Sequence, residues 1–240
     1  MQQSKKYWFI INVGSAPIYD KPNFNSSCLT EAVYGESCMI FDQKKNWFYI
    51  RCEDGYKGWV NSFYGIKRIK MNKPSYVVAY PNEYGYFQSK YPFGSIIDKN
   101  LPGSIPIKKI LGFDKIIPVA DNLLGIPYKW GGKTSLGFDC SGLVQSVLKV
   151  CGFNVPRDSN QQLDYFYNND IDILSSEPGD IHFFGIKDKV THVVFSTGGT
   201  GLLHSQGYVK RESLDPKHDD FNAGLLDMYL SSHSIKRKFQ

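Results

Sequence analysis

The chain has 240 residues, 42% of them hydrophobic and 15% aromatic, and a formal charge of +5. That is an ordinary globular composition with room for one large domain or two modest ones. The basic stretches "IKRIK" (66–70) and "IKRKF" (235–239) are too short to track a nucleic-acid backbone, so no nucleic-acid partner is expected.

The longest apolar run near the start, "YWFIINV", is too short to span a bilayer or to form a signal-peptide core. With Met1 as the native start, a cytoplasmic protein without membrane insertion is expected. The five cysteines (28, 38, 52, 140 and 151) are odd in number and lack CxxC spacing, which points to neither a disulfide framework nor a zinc site and suits a reducing compartment.

From Tyr7 to about Ile69 the sequence predicts an all-β region built from "WFIINV", "CLTEAVY", "SCMIFD", "WFYIRCE" and "YKGWVNS". Turn residues cluster between these runs. Phe48, Ile50 and Cys52 share one strand face, as do Cys38 and Ile40, so Cys28, Cys38 and Cys52 read as small apolar strand residues. Residues 71–112, rich in Tyr, Phe and Pro, predict a hairpin and a connecting segment too aromatic to be a floppy tether.

Beyond about Phe113 the pattern turns to α and then β. "DKIIPVADNLLG" predicts a short helix closed by Gly125, residues 139–152 a second helix, and "SNQQLDYFYNN" a third with Ser159 as N-cap. "GDIHFFGI", "THVVFST" and "GLLHSQG" predict strands, and "NAGLLDMYLSS" a closing strand or a helix. The expected fold class is multidomain: an all-β N-terminal part followed by an α+β part with an antiparallel sheet.

The second helix carries two thiols. Leu143, Val144, Val147, Leu148 and Cys151 recur at helical spacing, so Cys151 belongs to a buried stripe. Cys140 lies in the first turn, where exposed N–H groups and the helix dipole are expected to lower a thiol pKa, further so beside an imidazole. In "THVVFSTGGTGLLHSQ" a hairpin turn centred on Gly198 would make His192 and His204 direct cross-strand neighbours. One imidazole can then act as base while the other orients it. Zinc held by Cys140 and both histidines is a further possibility. His182, among apolar strand residues, reads as a satisfied core histidine, and His218 and His233 as residues in polar surroundings.

The succession "YGE", "NWFYIR", "DGYKGWV" resembles the bacterial SH3-like barrels attached to cell-wall enzymes, and implies such a barrel over residues 1–70. "PYKWGGKTSLGFDCSGLVQ", "VPRDSNQQ", "EPGDIHFF", "THVVFS" and "LLHSQG", in this order, resemble the NlpC family of papain-like cell-wall peptidases. This implies a papain-like cysteine peptidase domain over 113–240, joined through segment 71–112, with neither metal nor cofactor. The resemblance implies that Cys140 is the nucleophile, His192 the general base and His204 the residue that orients it. It further implies that Tyr128 lines the active site beside the oxyanion, and that Asp139, Ser141, Arg157, Asp158 and Ser159 contact polar groups of a muropeptide.

The pairing of the two domains is similar to γ-D-glutamyl-L-diamino acid endopeptidases. This implies a monomer that cleaves a murein tripeptide with a free N-terminal L-Ala in peptidoglycan recycling or turnover. In such enzymes the SH3-like domain closes one end of the cleft, and Tyr56 and Glu31 are the candidate contacts for the substrate ammonium. The alternatives are an exported hydrolase of intact wall, an amidase or acyltransferase on the same scaffold, and a non-catalytic protein that binds wall peptides.

Overall fold

The computed structural model describes residues 6–187 and 189–240. The chain divides into two compact units, one running through Lys108 and including Trp130–Leu136, the other formed by Lys109–Lys129 and Gly137–Gln240.

In the first unit, alternation of apolar and polar residues makes seven strands: β1 (Trp8–Ile11), β2 (Ser15–Tyr19), β3 (Cys28–Val33), β4 (Ser37–Lys44), β5 (Trp47–Arg51), β6 (Lys57–Asn61) and β7 (Gly65–Arg68). They form one antiparallel sheet in the order β3-β2-β6-β5-β4-β1-β7. Its inward positions, every second residue along each strand, place Phe9, Ile11, Ala16, Ile18, Cys38, Phe48, Ile50, Cys52 and Val60 in one core. Cys38 and Cys52 meet there with their sulfurs 4.0 Å apart.

Gly35, at φ +83° in the turn after β3, cannot be replaced cheaply, since a Cβ there would stand 1.8 Å from the carbonyl oxygen of Ile96. That approach lets Ile96 N–H donate to the Tyr34 carbonyl. Most of the segment expected as a connector belongs to this unit. Its strands β8 (Tyr76–Val78), β9 (Ile96–Ile97) and β10 (Ser104–Pro106) make a sheet of their own in the order β10-β8-β9, and bury Val77, Val78, Phe93 and Ile105. A short strand β11 (Lys133–Thr134) lies within Trp130–Leu136.

The second unit opens with helix α1 (Ile116–Asp121), then β12 (Gly137–Phe138), α2 (Cys140–Cys151) and α3 (Ser159–Phe166). After β13 (Asp170–Ile171) come β14 (Ile181–Ile186), β15 (Lys189–Gly198), β16 (Gly201–Gln206), β17 (Tyr208–Ser213), α4 (Ala223–Leu226), β18 (Tyr229–His233) and α5 (Ile235–Phe239). The sheet is antiparallel with order β13-β18-β14-β15-β16-β17. The last apolar stretch is both helix and strand, α4 then β18.

Helix α2 packs on β15 and β16 and against α1 and α3. It is therefore buried on nearly all sides, with Gln145, Ser146 and Val150 inside as well as the expected stripe. Gly152 ends it in the left-handed conformation, φ +100°. The N-cap position of α3 is Asp158, one residue before the expected Ser159, although no Asp158 side-chain bond caps the helix. His233 has the polar surroundings expected of it, on β18: it is buried, bonded to the Phe166 carbonyl and to Ser231 Oγ.

No helix among the described residues is long and apolar enough to cross a membrane. Cys151 is fully buried, and burial pushes its thiol up to about 12, as expected of an inert packing residue. Cys151→Ala is predicted to lose about 1 kcal/mol in urea unfolding through a small cavity, with hydrolytic turnover unchanged. Loss of turnover in that variant would show that Cys151 does more than pack.

Candidate active site

Cys140 is held at the first turn of α2 by the residues around it. Asp139 has extended backbone (φ −86°, ψ 175°), and its Oδ1 accepts the Gly142 N–H at 2.6 Å, which caps the helix. The same carboxylate takes a two-pronged ion pair from Arg157, Nη2 to Oδ2 at 2.6 Å and Nη1 to Oδ1 at 3.0 Å. Arg157 Nη1 also donates to Ser141 Oγ at 2.9 Å. Gln162, from α3, donates to the carbonyls of Ser141 and Pro156. Asp139, Ser141 and Arg157 are therefore one buried network that fixes the helix start, while Asp158 and Ser159 stand half-buried at the start of α3.

The histidines come from the β15–β16 hairpin, whose register differs from the expected one. Phe195 pairs with Leu203, Ser196 with Leu202 and Gly198 with Gly201, so the reversal falls at Gly199 and Thr200 rather than at Gly198. Continued along the strands, this register sets Val194 opposite His204, and His192 two residues off. The two histidines are diagonal neighbours on one face, a separation that long or aromatic side chains still bridge. They do so here: His192 Nε2 and His204 Nδ1 are 2.9 Å apart, and both rings are buried.

Sequence reasoning missed the carboxylate beyond His204. The Nε2 of this ring lies 2.8 Å from Glu212 Oε2, on β17. Lys210 Nζ donates to Glu212 Oε1 at 2.7 Å, and Asn222 Nδ2 to Oε2 at 2.8 Å. The signal was present: a turn centred on Gly207 pairs His204 with Lys210 and Leu202 with Glu212. Lys210 and Glu212 thus share the face of His204 by simple alternation. Because both nitrogens of His204 are engaged with protein groups, Cys140, His192 and His204 do not offer three open donors to a zinc ion.

The thiol's protonation departs from the expectation. Burial, and then the Asp139 carboxylate, push Cys140 up to about 11, against the opposing pull of the Val193 and Ser141 amides and of Arg157. The helix-start amides act in the expected direction, but desolvation outweighs them. The Val193 amide reaching the sulfur sets Cys140 beside the residue next to His192. Burial lowers His192 to about 3, with His204 and Lys210 adding to it and Glu212 working against it. Thiol and imidazole are therefore both neutral at pH 7. Tyr128 joins them: its amide donates to the Gly207 carbonyl, and its backbone forms an isolated bridge to Phe138. Burial, Cys140 and Asp139 push its phenol up to about 12, so it stays a hydrogen-bond donor.

The candidates of the first unit sit elsewhere than on a barrel surface. Glu31 is fully buried and accepts the Lys133 N–H at 3.2 Å, and Tyr56 packs against the barrel core. Lys133 Nζ in turn meets Asp54 Oδ2 at 2.8 Å. Although burial opposes it, Asp54 and Glu36 hold this lysine charged. Among the described residues, the donor atoms of Glu36, Cys38 and Cys52 lie within 4.8 Å of one another. The Glu36 carboxylate already accepts the amides of Val33 and Glu53, and the field of the Lys133 ammonium there opposes a second cation. His182 is likewise a core residue, its Nδ1 2.7 Å from Ser232 Oγ, and burial lowers it to about 4.

Among known proteins, the NlpC/P60 family matches residues 125–223, and the bacterial dipeptidyl-peptidase SH3 domain matches residues 18–62. The chain is 25% identical over 214 residues to a γ-D-glutamyl-L-lysine dipeptidyl-peptidase of Bacillus subtilis, covering 73% of this chain and 71% of that one. It is 27% identical over 223 residues to the protein of the same name from Bacillus cereus, covering 73% of this chain and 66% of the relative. Among solved structures, an NlpC/P60 endopeptidase from Photobacterium damselae aligns over 95% of this chain and 71% of its own, at 14% identity and a TM-score of 0.63, a likeness of fold.

The geometry makes two expectations about stability. Arg157→Leu leaves the Asp139 carboxylate buried without its cation, and is predicted to lose about 3–5 kcal/mol in urea unfolding; a loss below about 1 kcal/mol contradicts the network. Stability is also predicted to fall between pH 7 and 5. The unfolded chain protonates His182 and His192 near pH 6.5, whereas the folded chain does so only near 4 and 3, so protons favour unfolding in that window. A melting temperature that stays level or rises from pH 7 to 5 contradicts this.

Proposed function

We propose that this chain, whose residues 125–223 match the NlpC/P60 family and residues 18–62 the bacterial dipeptidyl-peptidase SH3 domain, hydrolyses the γ-D-glutamyl-L-diamino acid bond of murein peptides bearing a free N-terminal L-Ala. The observation that carries the reading is the placement of Cys140 at a helix start, with the amide of Val193, the neighbour of His192, at its sulfur and a protonated phenol close by.

In this reading Cys140 Sγ attacks the γ-carbonyl carbon of D-Glu as its proton passes to His192. His192 Nε2 is taken up by His204, so Nδ1 is the nitrogen that accepts the proton. The oxyanion so formed faces the Cys140 N–H and the Tyr128 hydroxyl. The C–N bond breaks, the leaving amine takes the proton from His192, and a thioester remains on Cys140. Water then attacks the thioester, giving a proton to His192, which returns it to the sulfur as the acid leaves. Asp139, Ser141 and Arg157 keep the helix start rigid and, with Asp158 and Ser159, are the polar groups proposed to face the peptide.

The test is hydrolysis of L-Ala-γ-D-Glu-diaminopimelate, its N-acetylated form and intact sacculi, with products identified by mass spectrometry. Wild type is expected to release L-Ala-D-Glu from the free tripeptide and much less from the acetylated one. Cys140→Ala is expected to lose roughly 10⁴- to 10⁶-fold in turnover while keeping its circular dichroism. Turnover retained in Cys140→Ala defeats the mechanism, and release from sacculi in preference to tripeptide favours the exported wall hydrolase instead.

A further inference from the structure

The hydrogen-bonded line does not stop at His204. We propose that Glu212 is a positioning residue that fixes the tautomer of the general base and sets its proton affinity, acting through His204. This role rests on the catalytic parts proposed for Cys140 and His192.

Donors and acceptors along the line leave one arrangement. Glu212 is a carboxylate: although burial works the other way, Lys210, Asn222 and His204 hold it below its ordinary range, so it is ionised at neutral pH. An ionised carboxylate only accepts. The 2.8 Å contact with His204 Nε2 therefore requires the proton on that nitrogen, leaving His204 Nδ1 with its lone pair. Nδ1 lies 2.9 Å from His192 Nε2, so His192 must donate there and keep its own Nδ1 unprotonated. That is the state a base beside a thiol needs. One negative charge, two rings away, thus sets the direction of the whole line.

The same charge favours the imidazolium formed when Cys140 gives up its proton. Lys210, on the same strand, counteracts it: Glu212 raises the proton affinity of His192 and His204, and Lys210 lowers both. The groups facing Glu212 come from three places: His204 on β16, Lys210 on β17 and Asn222 ahead of α4. Asp215, His218 and Asp220 line a cavity of about 320 Å³ that Glu212 also borders. Lys210 is positioned as a tuning charge, and Asn222 as the donor that locks the carboxylate.

A merely structural Glu212 would hold β17 to Asn222 and leave the base unaffected. The experiment compares full-length wild type, Glu212→Gln, Glu212→Asp and Lys210→Met. It measures kcat and KM on the tripeptide against pH and, without any substrate, the pH dependence of Cys140 alkylation by iodoacetamide, read on the Cys140 peptide. Glu212→Gln is expected to lower kcat by about 10- to 100-fold, the scale for groups that orient a histidine through its second nitrogen, with KM within about twofold. Removing the carboxylate charge lowers the proton affinity of His192, so the acid limb of both profiles moves to lower pH. Lys210→Met removes the opposing charge and moves it to higher pH. Glu212→Asp is expected to restore part of kcat.

Opposite limb shifts in alkylation support the positioning role even if the tripeptide is not turned over, an outcome that sinks the substrate reading alone. Unshifted limbs and unchanged kcat in folded Glu212→Gln and Lys210→Met overturn the proposal. If Glu212→Gln does not fold, the direction of the Lys210→Met shift decides by itself.

Discussion

A single hydrogen bond between two buried imidazoles, His192 Nε2 to His204 Nδ1, constrains the chemistry of the second unit. Neither ring is well solvated, so an imidazolium on His192 has little but Glu212 to stabilise it, and burial holds His192 down to about 3. Two neutral rings in contact share one proton between the facing nitrogens, so each has only one available tautomer once the far end is fixed. The result is a base with a defined lone pair rather than a ring free to turn.

The helix start presents the opposite constraint. Asp139 is needed to cap α2 and to anchor Arg157, yet its charge disfavours a thiolate at the next residue. The Val193 and Ser141 amides and Arg157 offset this only in part. In the proposed mechanism Cys140 therefore stays a thiol until a carbonyl is in place, and its proton leaves as the carbon–sulfur bond forms. Proton retention has two causes, desolvation of the sulfur where α2 packs against β15 and β16 and the charge of Asp139.

Much of this was legible in the residues. The stripe from Leu143 to Cys151, the acidic cap before Cys140 and the glycine after Cys151 specify α2 locally, and α2 forms as read. The antiparallel sheet and the two strands carrying His192 and His204 arise from alternation. The hairpin register was misplaced because three glycines in "TGGTG" (Gly198, Gly199 and Gly201) leave the turn position undetermined by local chemistry. Glu212 was missed because its role depends on a second hairpin that shares β16 with the first. The burial of His233 was not legible, because neighbouring polar residues on a strand say nothing about what covers it. Nothing local marks Trp130–Leu136 as part of the first unit either, since the partners of Lys133, Glu31 and Asp54, lie 102 and 79 residues earlier in the chain.

The most direct measurement is the nitrogen-15 spectrum of histidine-labelled protein at pH 7, with signals assigned through His192→Asn and His204→Asn. Neutral rings protonated at Nε2, with unprotonated Nδ1, are expected for both residues. An imidazolium at His192, or a proton on its Nδ1, would contradict the buried, carboxylate-directed base.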